Sequence, residues 1–578
     1  MPKMYTAEKS TQMLVSLLKA HGIRKAVLSP GMKNYCFVAS LQCDDYFELY
    51  SSVDERSAAY MACGLAEESG EPVVLSCTGA TASRNYLSAL TEAYYRKLPI
   101  LAVTSMTHVG EIGQLIPQIV DRRNQMNDIV NMSVQIPMIH NDKDEWANNV
   151  LLNSALLELR RNGGGPVHIN LETECSRDFS VMSLPEFRVI RRVGYMDSFP
   201  SIKESKVAIF VGAHAPWSES LTNAVDRFCE QYNGVVICDQ TSNYKGKYGV
   251  YPSLVLTQER YQSELRSIPL MIHIGEISGA YMKVRPSVVW RVSPDGEVRD
   301  TFKKLRYVFA MEEEYFFNKL TESQSNGTCV DYYNAWDKEC RKIRSKITDI
   351  PFSNGWIASV VLPKIGKGVV LHLAILNSLR MWNLFDGSNV ERCYSNTGGF
   401  GIDGIASTMI GAALAAKDKT HIAVMGDLAF FYDLNSLGNR HVPSNVRILL
   451  VNNGRGIEFR NYGHPAAEFG EDADPYMAAA GHYGDQSPEL VRHYAQDLGF
   501  RYLSAGNKEE FLNTIDTFLD DKVDGPIVFE VFTKTEDESD SFKILRNLEH
   551  SSKTSFKQTL KGVLGDKGTR TLKKIVHK

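Results

Sequence analysis

Short apolar runs separated by helical patterns recur three times along this 578-residue chain. In the first part, KAVLSPG, PVVLSC, PILAVTS and GPVHINL read as strands, between helical patterns such as Thr6 to Ala20 and ERSAAYMACGLAEES. KVAIFVGAH, GVVICDQ, PLMIHIGE and SVVWRVS repeat the theme in the middle, and GVVLHLAI, HIAVMGD, VRILLVNNG and PIVFEVF repeat it again near the end. A strand covered on both faces shows a continuous apolar run, and helices between such strands supply the crossovers of a parallel sheet. The pattern predicts an α/β chain of three doubly wound parallel-sheet domains, spanning 1–180, 195–345 and 350–540. A tail, 541–578, carries ten Lys and Arg against two acids, just after the acidic run Glu536, Asp537, Glu538 and Asp540. Its expected state is a solvated segment that pairs with acidic surface.

Charge and cysteine usage exclude several classes. Acids number 68 and bases 64, so the net charge of −4 argues against a nucleic-acid binder. No uncharged apolar run approaches the ~18 residues of a membrane span, and the N-terminus lacks a signal-type apolar core. The ten cysteines include no C-x-x-C pair, which predicts neither a zinc site nor a disulfide framework and points to a cytoplasmic compartment. No G-x-G-x-x-G follows a predicted strand, so a nicotinamide oxidoreductase is disfavoured.

Chemistry concentrates in AVMGDLAFFYDLNSL and VRILLVNNGRG. Gly426-Asp427 and Asn452-Asn453-Gly454 each end a predicted strand, and in a parallel sheet those ends share the edge where ligands bind. Asp and Asn oxygens are hard ligands suited to Mg²⁺. Gly426, Gly454 and Gly456 allow close approach of a diphosphate. Alone, Gly-Asp is a common turn; the pair of motifs, with Asp427 and Asn453 26 residues apart, is far more specific.

That pairing resembles the thiamine diphosphate (ThDP) and Mg²⁺ motif of the ThDP-dependent decarboxylases and carboligases. The resemblance implies three domains (pyrimidine-binding, middle and diphosphate-binding). It implies Mg²⁺ on the side chains of Asp427 and Asn453 and the carbonyl of Arg455. It also implies a glutamate, Glu55 in VDERSAAYMACGLAEES, whose carboxyl favours the cofactor tautomer that takes the C2 proton. With SPGMKN, GPVHIN and YSNTGGFGIDGIASTMIGAALA, the likeness narrows to the menaquinone-pathway synthase that forms 2-succinyl-5-enolpyruvyl-6-hydroxy-3-cyclohexene-1-carboxylate. It covers most of residues 5–535 and implies a homodimer or dimer of dimers, with Ile402 under a bent cofactor. Leu428, Gly456 and Ile457 complete the expected cofactor pocket.

Departures from that family fall on substrate contacts. Lys33 stands for arginine in the first turn, Met106-Thr107-His108 for Asp-Arg-Pro, Thr397 for the arginine of Asn-Arg-Gly, and Trp382 for a basic residue. Arg380 lies two residues after Ser378, while Gln114 and Gln118 keep the glutamine-bearing loop. A desolvated carboxylate without its arginine costs ~3–5 kcal/mol, so the family's 2-oxoglutarate and isochorismate are disfavoured. Glu458, where the family is apolar, is a candidate proton donor beside Phe459, and His108, His464 and His482 are lesser acid–base candidates. The expected function is ThDP- and Mg²⁺-dependent decarboxylation of a 2-oxoacid with transfer of the acyl group to an acceptor. A plain decarboxylase and a ThDP-binding pseudoenzyme are the alternatives.

Overall fold

The computed structural model describes residues 4–280, 282–322, 329–482, 487–520 and 522–549. Contacts group the chain into two units: residues 1–194 with 296–308, and residues 195–295 with those from 309 onward.

The first unit is built on a six-stranded sheet in the order Glu48–Ser51, Lys25–Leu28, Val73–Cys77, Ile100–Met106, Val167–Glu172, Met132–Ile136. Every neighbouring pair is parallel. Side chains alternate across each strand, and both faces are covered. Ala26, Leu28, Leu101 and Val103 pack under the helices Lys9–Ala20 and Asp142–Glu158. Val27, Ile100 and Ala102 pack under Glu55–Ser69 and Leu87–Arg96. Alanines at 58, 59, 62 and 66 let the Glu55–Ser69 helix lie close against the sheet. Residues 296–308 join this unit through Asp300, whose carboxylate accepts from the Trp146 indole at 2.9 Å and ion-pairs with Arg188.

The second unit carries parallel strands Gly249–Val250, Gly234–Ile237, Val207–Val211, Ser267–Ile274 and Arg285–Val292 in that spatial order. It also carries a six-stranded sheet ordered Arg392–Tyr394, Val369–Leu373, Thr420–Gly426, Val446–Asn452, Ile527–Phe532, Arg501–Ala505, again parallel throughout. Numbered along the chain, its strands follow the same 2-1-3-4-6-5 order as the first sheet. The three-sheet α/β architecture is the one the sequence pattern predicts.

Local differences have physical causes. SRNYLSALTEAYY breaks into Thr81–Arg84 and Leu87–Arg96, because the chain turns at Asn85-Tyr86. The helix Thr535–Leu545 runs through position 541, and Phe542 and Leu545 are buried, so the basic composition begins inside a packed helix. From 550 onward the tail lies outside the described residues. All ten cysteines are free thiols. Among the described residues, no helix is long and apolar enough to cross a membrane, and no cluster of His, Cys, Asp and Glu could hold a metal.

Candidate active site

The adjacent strands Thr420–Gly426 and Val446–Asn452 are in register with Gly426 opposite Val451. Asp427 and Asn453 therefore leave the sheet side by side. Asn452 is buried in the strand: its Nδ2 donates to Glu530 at 2.7 Å, and its Oδ1 accepts from the Gly454 N–H at 3.1 Å. That second bond closes a turn in which Gly454 takes φ +75°, a region glycine enters without strain. The turn leaves Asn453 facing a cavity of about 110 Å³, where its Oδ1 is buried without a hydrogen-bond partner. Asp427, 5 % exposed, lines the same cavity.

The cavity gathers most of the residues singled out in this part of the sequence: Ile402, Gly426, Asp427, Leu428, Asn453, Arg455, Gly456, Ile457, Glu458, Phe459 and Ser378. A Cβ on Gly456 would lie 3.4 Å from the Ala478 carbonyl and 3.3 Å from the Phe459 ring, a tight fit that the ring would have to ease by a few tenths of an ångström. The Arg455 guanidinium donates to Asp474 at 2.7 Å. A buried acceptor oxygen without a donor, beside a buried carboxylate and glycine backbone, fits a hard divalent cation carrying a diphosphate.

A second cavity, about 390 Å³, shares Leu376 and Glu458 with the first. Arg380 lines it, and its guanidinium donates to the Glu458 carboxylate in an ion pair. Thr397 is buried and lines neither cavity. Trp382 is fully buried, with its indole N–H on Asn354 Oδ1 at 2.9 Å.

Several groups here escaped the sequence reading. Glu538 is fully buried and accepts from the Asn354 N–H at 2.9 Å, Thr533 Oγ1 at 2.8 Å and Asn377 Nδ2 at 3.4 Å. Burial pushes its carboxyl up to about 7. Asn354 Nδ2 in turn holds Ser378 Oγ at 3.1 Å, so Glu538 supports the wall of the smaller cavity from behind. In sequence Glu538 is one acid in a solvated-looking run; the helical placement that points it inward has no local signal. Asn461 and Arg546, likewise not singled out, line the larger cavity beside the candidate His464.

The remaining candidates lie in the first unit. Asp54 caps the helix Glu55–Ser69 by accepting from the Ser57 N–H at 2.7 Å, which places half-buried Glu55 at its first position. Near it Val53, Tyr60 and Met61 are exposed. Lys33 sits in a turn where a Cβ on Gly31 would lie 2.3 Å from Thr78 Cβ, and burial holds its ammonium below the ordinary lysine range. Gln114 and Gln118 are exposed on the loop after Val109–Glu111.

Residues 8–129 match the family described as thiamine pyrophosphate enzyme, N-terminal TPP binding domain. A 2-succinyl-5-enolpyruvyl-6-hydroxy-3-cyclohexene-1-carboxylate synthase of Bacteroides fragilis is 32 % identical over 578 aligned residues, covering 95 % of this chain and all of the relative. The synthase of the same name from Phocaeicola vulgatus is 31 % identical, covering 95 % of this chain and 99 % of its own length. That of Flavobacterium johnsoniae is 27 % identical, covering 91 % and 96 %. With the paired strand ends and the full-length similarity, this chain belongs to the 2-succinyl-5-enolpyruvyl-6-hydroxy-3-cyclohexene-1-carboxylate synthase family of thiamine diphosphate enzymes.

Proposed function

We propose that the protein uses ThDP and Mg²⁺ to decarboxylate a 2-oxoacid and transfer the retained acyl group to an acceptor, with both substrates different from those of the named synthases. The observation that carries the cofactor assignment is the orphaned Asn453 Oδ1 beside Asp427 in a glycine-walled cavity. Asp427, Asn453 and the Arg455 carbonyl hold the cation. Gly426, Leu428, Gly456 and Ile457 frame the diphosphate, and Ile402 supports the rings. Bound there, ThDP supplies the electron sink that lets a 2-oxoacid lose CO₂.

Glu55 presents its carboxyl to the pyrimidine of the cofactor held by a second copy of the chain. Exposed Val53, before the helix, and Tyr60 and Met61 in its first half support that homodimer, since exposed large apolar side chains favour burial in an interface. Lys33, Gln114, Gln118, Ser378, Arg380 and Phe459 are assigned to the substrates, while Thr397, buried outside both cavities, drops from that set. Neutral Thr397 and Trp382 bring no charge to either cavity and Arg380 is held by Glu458, which disfavours a donor with a distal carboxylate. Glu458 supports a second reading, plain decarboxylation with this carboxyl as proton donor. It lines both cavities but is held by Arg380, so that route requires the pair to open first.

Calorimetry on Asp427→Ala tests the cofactor site. ThDP with Mg²⁺ binds at least about a hundredfold more weakly to a variant that keeps its circular dichroism; unchanged affinity removes Asp427 and the site with it.

A further inference from the structure

Asn461 is 3 % exposed, and neither its Oδ1 nor its Nδ2 has a hydrogen-bond partner. Burying an amide unpaired costs roughly 1–3 kcal/mol for each orphaned group, so a buried amide lining a cavity points to a ligand that satisfies it. The cavity is the larger one, about 390 Å³, which opens against the smaller across Leu376 and Glu458.

Charge narrows the ligand. Of the cations that line it, Arg380 is matched by Glu458 and Arg546 by Glu259 at 2.9 Å while it lies over the Phe542 ring; Lys283 is exposed, so solvent screens what its ammonium offers an anion. A ligand carboxylate has to displace Glu458 from Arg380, replacing one ion pair by another and leaving the displaced carboxylate in a half-buried wall. Asn461 offers one donor and one acceptor, the complement of a hydroxyl group, which both donates and accepts. Leu376, Leu379 and Phe400 supply apolar cover for a carbon skeleton.

We propose that this outer cavity takes the acceptor, and that the acceptor is an uncharged aldehyde or ketone bearing hydroxyl groups, bound by Asn461 while the Arg380–Glu458 pair excludes a carboxylate. This rests on the reading of the smaller cavity as the cofactor site. For pyruvate as donor the step is CH₃COCOO⁻ + RR′C=O + H⁺ → CH₃CO–C(OH)RR′ + CO₂. The bond between C1 and C2 of pyruvate breaks, its electron pair forms the new bond to the acceptor carbon, and the acceptor oxygen takes the proton.

Ligand-observed NMR titrations on the full-length protein with ThDP and Mg²⁺ test it, using dihydroxyacetone, butanone and levulinate. Dihydroxyacetone binds about tenfold more tightly than either of the others. In Asn461→Leu its advantage over butanone shrinks to within about twofold. In Glu458→Gln, which releases Arg380, levulinate gains about tenfold, and this gain of binding reads the proposal even if the Asn461 variant does not fold. Equal binding of the three ketones, a preference for levulinate in the unaltered protein, or no gain in Glu458→Gln overturns the proposal. Binding is read without turnover. Absent CO₂ release from 2-oxoacids counts against the decarboxylase reading, whereas CO₂ release with no ketone preference counts against the acceptor assignment alone.

Discussion

The first and last sheets share one strand order, yet their C-terminal edges carry opposite chemistry. In the first sheet the chain plugs the edge with its own cation. Arg122, 1 % exposed, donates through one Nη to the Ser105 carbonyl at 2.9 Å and Asn170 Oδ1 at 3.0 Å. Burial with no carboxylate beside it lowers that guanidinium to about 10. In the last sheet the corresponding edge presents oxygens instead, Asp427 and the orphaned Asn453 Oδ1, with no basic side chain reaching Asn453 Oδ1 among the described residues. Topology sets where ligands can bind; the turns after the third and fourth strands decide whether the edge is sealed by the chain's own cation or lined by oxygens.

The comparison breaks most sharply at Glu55, the first-unit group proposed to act on the cofactor of a second copy. Glu55→Gln keeps ThDP affinity within a few-fold, but C2 proton exchange of bound ThDP slows by about a hundredfold or more, the scale of lost general acid–base assistance. Proton–deuterium exchange followed by NMR gives the rate, and an unchanged rate removes Glu55 from that role.

Donor choice is the next largest effect. Near the cavities of the second unit Arg380 is already paired and Lys283 is exposed to solvent, Lys33 belongs to the first unit, and Thr397 and Trp382 are neutral and buried. Pyruvate is therefore decarboxylated about tenfold faster than 2-oxoglutarate, since ~1.4 kcal/mol of transition-state binding is a factor of ten. The measurement is CO₂ release from each acid with ThDP and Mg²⁺. Faster release from 2-oxoglutarate means that Lys33 or Arg380 supplies the counter-charge and restores the relatives' donor.

Central strands were legible because burial on both faces leaves continuous apolar runs: Val73–Cys77, Ile100–Met106 and Val446–Asn452 are buried at every position. Edge strands were not. Glu48–Ser51 and Arg501–Ala505 are largely half-buried or exposed, so their composition is mixed and no run stands out. The cofactor edge was readable because its chemistry lies in two contiguous turns, Gly426-Asp427 and Asn452-Asn453-Gly454. Asn461, Arg122 and Glu538 were invisible for the converse reason. Arg122 and Glu538 acquire their meaning from partners distant in sequence, as Glu538 does from Asn354, 184 positions away, and Asn461 from a cavity whose other walls are distant in sequence.

Arg122→Met tests whether the sealed edge depends on its cation. A methionine fills much of the volume but leaves the Ser105 carbonyl without its donor, a loss on the order of 1–3 kcal/mol. The expected result is a melting temperature lower by several degrees; an unchanged value shows that packing alone closes that edge.

The effect furthest from the chemistry is a pH slope from Glu538, behind the open edge. In the unfolded chain this carboxyl titrates near its ordinary 4.5, and in the fold burial raises it to about 7, with Asp537 adding a small push the same way. Between those values the folded protein holds a proton that the unfolded chain has released. Stability from this group is thus fully present below 4.5 and is lost as pH rises through 7. Its size is on the order of 3–4 kcal/mol, from a rise from 4.5 to about 7 at 1.36 kcal/mol per pH unit. The neutral acid has a receptor, because Asn377 Oδ1 is buried without a partner and comes within reach when that amide turns over. Glu538→Gln mimics the protonated form: its oxygen keeps the Asn354 and Thr533 donors, and its NH₂ meets the turned Asn377. The unaltered protein then melts a few degrees lower at pH 8 than at pH 5.5 for this reason, and in Glu538→Gln that part of the difference disappears. If the two proteins lose stability in parallel across this range, Glu538 is already ionised in the fold, and the wall behind Ser378 is held by a buried charge.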